Sequence, residues 1–322
     1  MIAAVITGIT IVWVSASSQI NPTSAAPTPT SSQAEKPRSR SHCGEAKIPL
    51  RPPGSISTAS SSVERLHTRR TGTSDTITYV GHGTVLVDVD GTRLLTDPFL
   101  RNRIGPLVRH GAAPAAATTD ALDAVLISHL HRDHADLGSL RRLGREVPLL
   151  VPSGSWYFFA RRGFRSVAEL APGESRRVGA LTVSAVEAHH DAGGRRFAKE
   201  AQAIGFLVRG RHRIYFAGDT DFFDGMRDLD RELDLALLPV WGWGPSLGAG
   251  HLDPAAAARA AAAISPRLAV PIHWGTLYPF GLDRFKRDPL RRPGREFAER
   301  LRDLAPHVET RVLSPGESTS LA

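Results

Sequence analysis

The hydrophobic pattern changes character near residue 76. From there, the stretch TITYVGHGTVLVDVDGTRLLTDPFL (76–100) holds apolar runs rich in β-branched residues, broken by Gly-His-Gly and Asp-Gly. That pattern predicts consecutive strands joined by tight turns. Further apolar runs predict strands at 123–127 (DAVLI), 148–151 (PLLV), 181–188 (LTVSAVEA), 203–209 (AIGFLVR), 213–217 (RIYFA), 235–239 (LALLP) and 268–272 (LAVPI). Helices are predicted at 135–143, at 254–264 with Pro254 in the first turn, and at 294–304. Strands interleaved with helices imply a layered α/β domain over residues 76–318.

Upstream the pattern is different. Residues 17–75 are rich in Ser, Thr, Pro and Ala, with few large apolar side chains. Such a segment buries too little surface to offset its ordering entropy, so it reads as a disordered tail. Residues 1–16 form an apolar stretch shorter than the roughly twenty residues that span a bilayer. It resembles the apolar part of a signal peptide, with small residues at 14–16 for cleavage, although no Lys or Arg precedes it. The segment is therefore read as a signal or anchor. Export or membrane association through it, and otherwise a cytoplasmic location, are the alternatives left open.

Composition narrows the chemistry. Across 322 residues the apolar content is 41% and the charged content 22%, as in a globular protein. The net charge of +8 comes from 40 basic residues, of which 36 are arginine. They are spread along the chain with no long basic run, so nucleic acid is not the partner this charge predicts. The single cysteine, Cys43, lies in the tail, which rules out an intrachain disulfide and leaves no basis for a thiolate metal site.

The candidate chemistry lies at the strand ends. VLISHLHRDHADL (125–137) places His129, His131, Asp133 and His134 within six positions, directly after a buried strand. The alternation of His129 and His131 aims both toward one point, and Asp133 and His134 follow as the chain turns toward a second. Other strands end in His189-His190, in Gly218-Asp219-Thr220 and in His273. Taken singly, each is an ordinary turn or core residue. Four such ends in one chain point to a metal site on a rigid scaffold.

The order His-x-His-x-Asp-His, then His, then Gly-Asp-Thr, then Pro-x-His resembles the metallo-β-lactamase superfamily. YVGHGTVLVDVDGTRLLTDP, GHLDP and PIHWGT are similar to motifs of the branch that includes ascorbate-6-phosphate lactonase-like proteins and N-acyl-phosphatidylethanolamine phospholipase D. The resemblance implies a four-layer αββα sandwich, two mixed sheets face to face with helices outside. It implies that His129, His131 and His190 bind one metal, that Asp133, His134 and His273 bind a second, and that Asp219 bridges them. His82, Asp97 and His189 are expected beside the ligands, orienting them by hydrogen bonds. His251, in GHLDP, matches a position near substrate; a helix cap ahead of 254–264 is the competing reading.

Nitrogen and oxygen ligands without thiolate suit two divalent ions, zinc first, with manganese or iron as alternatives. Such ions lower the pKa of a shared water and polarise a carbonyl or phosphoryl group. The implied activity is hydrolysis of an ester, lactone or phosphodiester, with Asp133 or His251 handling the leaving-group proton. The partner is then a small-molecule or lipid substrate, with membrane association as an option and the oligomeric state open. Gly-Asp-Thr and the absence of an active-site cysteine argue against a β-lactamase, and no basic insertion suggests a tRNA-processing arm. The alternatives are a phospholipase D-like enzyme acting on membrane phospholipid and a non-catalytic metal-binding relative. Such relatives typically lose ligands, and all seven expected ligands are present here.

Overall fold

Strands Thr76–Gly81, Thr84–Val89 and Thr92–Thr96 form an antiparallel meander. Its second turn, Asp90-Gly91, has positive φ at both residues (51° and 68°), as a two-residue type I′ hairpin requires. These coordinates are a computed structural model that describes residues 75–191, 201–242, 248 and 250–322. The leader read at 1–16, nearly all of the tail read at 17–75, and Cys43 lie outside the described residues. Every described residue belongs to one compact unit, Glu64–Ala322.

Two seven-stranded sheets follow. In the first, Thr92–Thr96, Ala124–Leu126, Leu149–Pro152 and Val167–Leu170 run parallel, and Ser318–Ser320 closes the far edge against Thr76–Thr78. In the second, Ser175–Val178, Leu181–Glu187, Ile204–Arg209 and Arg213–Phe216 are antiparallel neighbours. Leu235–Pro239, Leu268–Ile272 and Glu309–Thr310 then add on in parallel. Successive residues of the central strands are buried on opposite faces. Leu94, Ala124 and Leu126 share one apolar core with Phe206, Phe216 and Leu237, which line a single face of the other sheet. Leu95, Val125 and Ile127 instead meet Leu140, Phe158 and Phe159 of helices Leu137–Leu143 and Trp156–Ala160. Burial on both faces explains why these strands read as unbroken apolar runs.

Helices Pro254–Ile264 and Arg292–Leu304 cover the second sheet through Ala257, Ala261, Phe297 and Leu301. The result is the expected four-layer αββα sandwich. Pro254 opens its helix, and the Asp253 carboxylate accepts from the Ala256 amide at 2.7 Å as N-cap. Strands Val167–Leu170 and Ser175–Val178 and helix Trp156–Ala160 were not predicted from the pattern. Neither was a small third sheet of Arg103–Ile104, Leu107–Arg109 and Leu277–Pro279. The fold also runs past residue 318, since Ser318–Ser320 is paired. Among the described residues, no helix is long and apolar enough to cross a membrane.

Strand direction decides where chemistry can gather. Parallel neighbours place Asp97, Ser128 and His129 at the carboxyl end of the first sheet, and Asp219, Trp241 and His273 at that of the second. Thr76–Gly81 and Leu181–Glu187 run in the same sense as these strands, so His82 and His190 leave at the same end.

Candidate metal centre

The strand ends meet in two clusters of imidazoles. In the first, His129 Nε2 lies 3.0 Å from His131 Nδ1, and His190 Nε2 lies 3.1 Å from that same Nδ1. In the second, His134 Nε2 and His273 Nε2 are 3.0 Å apart, with Asp133 Oδ2 3.7 Å from His134 Nε2. Asp219 lies between them. Its Oδ2 is 3.2 Å from His134 Nε2 and 3.9 Å from His129 Nε2, and its Oδ1 is 3.4 Å from His273 Nε2.

The outer ring nitrogens are committed elsewhere, which fixes the tautomers. Asp97 Oδ2 accepts from His134 Nδ1 at 2.7 Å. The Ser128 hydroxyl donates to that same oxygen at 2.5 Å and accepts from His129 Nδ1 at 3.0 Å. Asp97 Oδ1 accepts from the Ser128 amide. His190 Nδ1 donates to the Gly250 carbonyl at 2.8 Å, and His273 Nδ1 to the Trp241 carbonyl at 2.5 Å. Nε2 of His129, His190 and His273 is therefore left as a lone pair facing another nitrogen, and His134 Nε2 sits between His273 Nε2 at 3.0 Å and Asp219 Oδ2 at 3.2 Å. Lone pairs held at this separation repel unless a proton or a cation sits between them. Three nitrogens bound to one tetrahedral ion at about 2.0–2.1 Å sit roughly 3.3 Å apart, close to what is found here. Asp219 Oδ1 is also buried with no hydrogen-bond partner, an unmet acceptor on the axis between the clusters. The donor set fits divalent metal.

His82, Asp97 and His273 adopt positive φ (58°, 33° and 63°), a strained conformation for residues other than glycine and one that concentrates at functional sites. His82 donates from Nε2 to Asp133 Oδ2 at 2.9 Å, and its ring lies tilted by 35° against that of His273 with centroids 3.8 Å apart. It belongs to the same four-residue group as Asp133, His134 and His273. His251 stands with Nε2 3.6 Å from Asp219 Oδ2, and its ring meets His190 edge-on at 4.6 Å. Since Asp253 supplies the cap, His251 is not the helix cap. His189 is not brought to the ligands: its exposed side chain pairs with Glu187 at 2.7 Å and stacks on Phe223. Only its backbone serves the site, donating to Thr220 Oγ1 and accepting from the Asp221 amide.

The sequence reading did not include Ser128, nor the carbonyls of Gly250 and Trp241. Ser128 links the clusters, because Asp97 holds His134 directly and His129 through the Ser128 hydroxyl. Ser128→Ala removes the acceptor of His129 Nδ1 and should weaken zinc binding in the His129–His131–His190 pocket by about 10–100-fold. Zinc competition titration reads this. Gly218 is the other enabling residue. With φ +62°, a Cβ there would lie 2.6 Å from Ser128 Cβ and 3.2 Å from the Ile204 carbonyl oxygen. Gly218→Ala should lower stability by about 2–4 kcal/mol, from left-handed backbone strain plus overpacking. Urea unfolding measures it.

Burial is the largest influence on the site's titration, and it disfavours the charged imidazole. It brings His82 down to about 3 and His190 to about 4, and it lowers His129, His131 and His273 as well. For His134 burial acts in the same sense, but the carboxylates of Asp219, Asp133 and Asp97 outweigh it and raise the pKa. Burial raises Asp133 and Asp219, yet the surrounding imidazoles, His134 foremost, hold both well below the usual carboxylate range. In chelator-treated protein the unfolded chain therefore binds more protons than the folded one between about pH 6.5 and 4. Stability is present above that window and lost as pH falls through it. The two carboxylates extend the loss below about 3.8, and His134 alone opposes it. A melting temperature that falls steadily from pH 7 to pH 4.5 is expected by scanning calorimetry.

Known proteins share this arrangement of sequence and fold. The beta-lactamase superfamily domain matches residues 92–274. A metal-dependent hydrolase of Deinococcus radiodurans is 33% identical over 75% of this chain and 97% of its own length. The N-acyl-phosphatidylethanolamine-hydrolyzing phospholipase D 1 of Caenorhabditis elegans is 29% identical over 66% of this chain and 67% of that protein. Among solved structures, Igni18, a metallo hydrolase from the archaeon Ignicoccus hospitalis, superposes with a TM-score of 0.59 at 24% identity, covering 78% of this chain and 99% of that one. The chain belongs to the beta-lactamase superfamily and is a metal-dependent hydrolase with the metallo-β-lactamase fold.

Proposed function

We propose that the chain is a two-ion hydrolase. His129, His131 and His190 hold one divalent ion, Asp133, His134 and His273 hold the other, and Asp219 bridges them. The observation that carries this reading is the Asp219 carboxylate, buried between the two nitrogen sets with Oδ1 unpartnered. Zinc is the preferred ion for this thiolate-free donor set. When bound, the ions supply water activated at neutral pH and Lewis-acid polarisation of the scissile bond.

The protein's own groups do the rest. Asp97 and Ser128 keep His134 and His129 in the tautomer that presents Nε2. Gly250 and Trp241 do the same for His190 and His273 through their carbonyls. His82 holds the Asp133 carboxylate in place. His251, beside Asp219 but partly open to solvent, moves the proton to or from the leaving group. The catalytic unit is the 76–318 segment together with its closing strand Ser318–Ser320.

The bond cleaved is an ester, a lactone or a phosphodiester. Membrane phospholipid is the phosphodiester that the Caenorhabditis elegans relative's name brings into view. Zinc- and manganese-loaded protein screened against generic phosphodiesters, lactones and carboxylic esters tests the reading. Turnover that chelator abolishes and added metal restores is expected for at least one class. Fully loaded protein inert on all three would count against it.

A further inference from the structure

Six large apolar side chains are exposed among the described residues, and five of them occur in segments leaving the metal end of the sandwich. Trp156 (51% exposed) and Tyr157 (54%) follow strand Leu149–Pro152, the parallel neighbour of the strand that feeds Ser128 and His129. Phe280 (72%), Leu282 and Phe285 (84%) follow His273 by way of strand Leu277–Pro279. The sixth, Leu304, ends the crossover helix Arg292–Leu304, whose chain returns to the opposite end to start Glu309–Thr310.

The Phe280 segment is built to project. The Phe280 amide donates to the Pro106 carbonyl at 3.0 Å, and the Phe285 and Lys286 amides both return to the Leu282 carbonyl. The Leu282–Arg284 3₁₀ turn thereby holds two phenyl rings and a leucine in water. Cations interleave with them: FGLDRFKR (280–287) carries Arg284, Lys286 and Arg287 against one acid, Asp283. The next acid, Asp288, is engaged by Arg292 at 3.8 Å.

We propose that this end of the molecule docks on an anionic phospholipid surface, with Phe280 and Phe285 entering the headgroup region and Arg284, Lys286 and Arg287 meeting lipid phosphate. Aromatic rings settle at the bilayer interface, and nearby cations are drawn to its negative potential. Exposed apolar side chains gathered on one region mark a binding surface. A second copy of this chain fits less well, because a two-fold contact would set these cations against their equivalents. A nucleic acid could stack on the two rings but would leave Leu282 without an apolar partner, which a lipid surface supplies. The surface does not depend on the reaction: lipid binding without hydrolysis would leave it standing.

Co-sedimentation of the full-length, metal-loaded chain with vesicles tests it. Binding is expected to phosphatidylcholine vesicles containing phosphatidylglycerol, to weaken with salt, and to be slight on phosphatidylcholine alone. The Phe280→Ser/Phe285→Ser double variant should bind at least about tenfold more weakly, with metal content and melting temperature unchanged. Leu304→Ser should bind as the unaltered chain does. Three results would overturn the proposal: no binding by the unaltered chain, equal binding by the double variant, or a double variant that changes from dimer to monomer in solution.

Discussion

Asp219→Ala should lower hydrolysis by roughly a thousandfold or more and strip metal from both pockets. The carboxylate is buried with the imidazoles of His129, His134, His251 and His273 all within 4 Å of it, and among the described residues no other acid lies between the two clusters. Its charge offsets that of the ions, and each oxygen faces a different histidine. Removing one preorganised hydrogen-bond donor at a reacting centre already costs about 10²–10³ in rate, and here the loss extends to the metal itself. Asp219→Asn separates the two contributions: it keeps the shape, removes the charge, and should bind metal better than the alanine variant without recovering turnover. Metal content by mass spectrometry, read beside kcat/KM on the best screened substrate, decides it. An alanine variant with two ions and activity within tenfold of the parent would remove Asp219 from its role.

His251→Ala should behave differently. Both ions should stay, because His251 Nε2 faces Asp219 Oδ2 from the open side, while the first pocket keeps three nitrogens without it. Turnover should fall by about 10²–10⁴-fold, the range of a single general acid or base. The loss should be larger for substrates with poor leaving groups, which most need a proton. A variant that loses metal instead would make His251 a ligand, a role its place in the group with His190 and Asp219 also permits.

The His129–His134 stretch was legible because its short-range spacing shows which way the side chains turn once the preceding strand is recognised. The choice of His190 over His189 rested on the family pattern, and the physical reason emerges only in three dimensions. The strand stops at Glu187, so the next residues leave the pleat, and His189 turns out to Phe223. Ser128 had no signal of its own. One serine in an apolar run looks like any other until Asp97, 31 positions earlier, is seen accepting its hydroxyl. His251 was ambiguous because GHLDP contains two candidate caps; Pro254 at the first helical position makes Asp253 the residue next to it. The missed strands VAEL and SRRV are four residues each, and SRRV is an exposed edge whose arginines guard it from further pairing. Helix Trp156–Ala160, five residues of mostly aromatic sequence, is too short for a 3.6-residue period to show.

The most direct test of the two-ion account is anomalous diffraction at the zinc edge from crystals of the metal-loaded chain. The account predicts two peaks of comparable height. One should lie within bonding distance of His129, His131 and His190, the other of Asp133, His134 and His273, and Asp219 should touch both. A single peak, or two peaks of which Asp219 reaches only one, would contradict it.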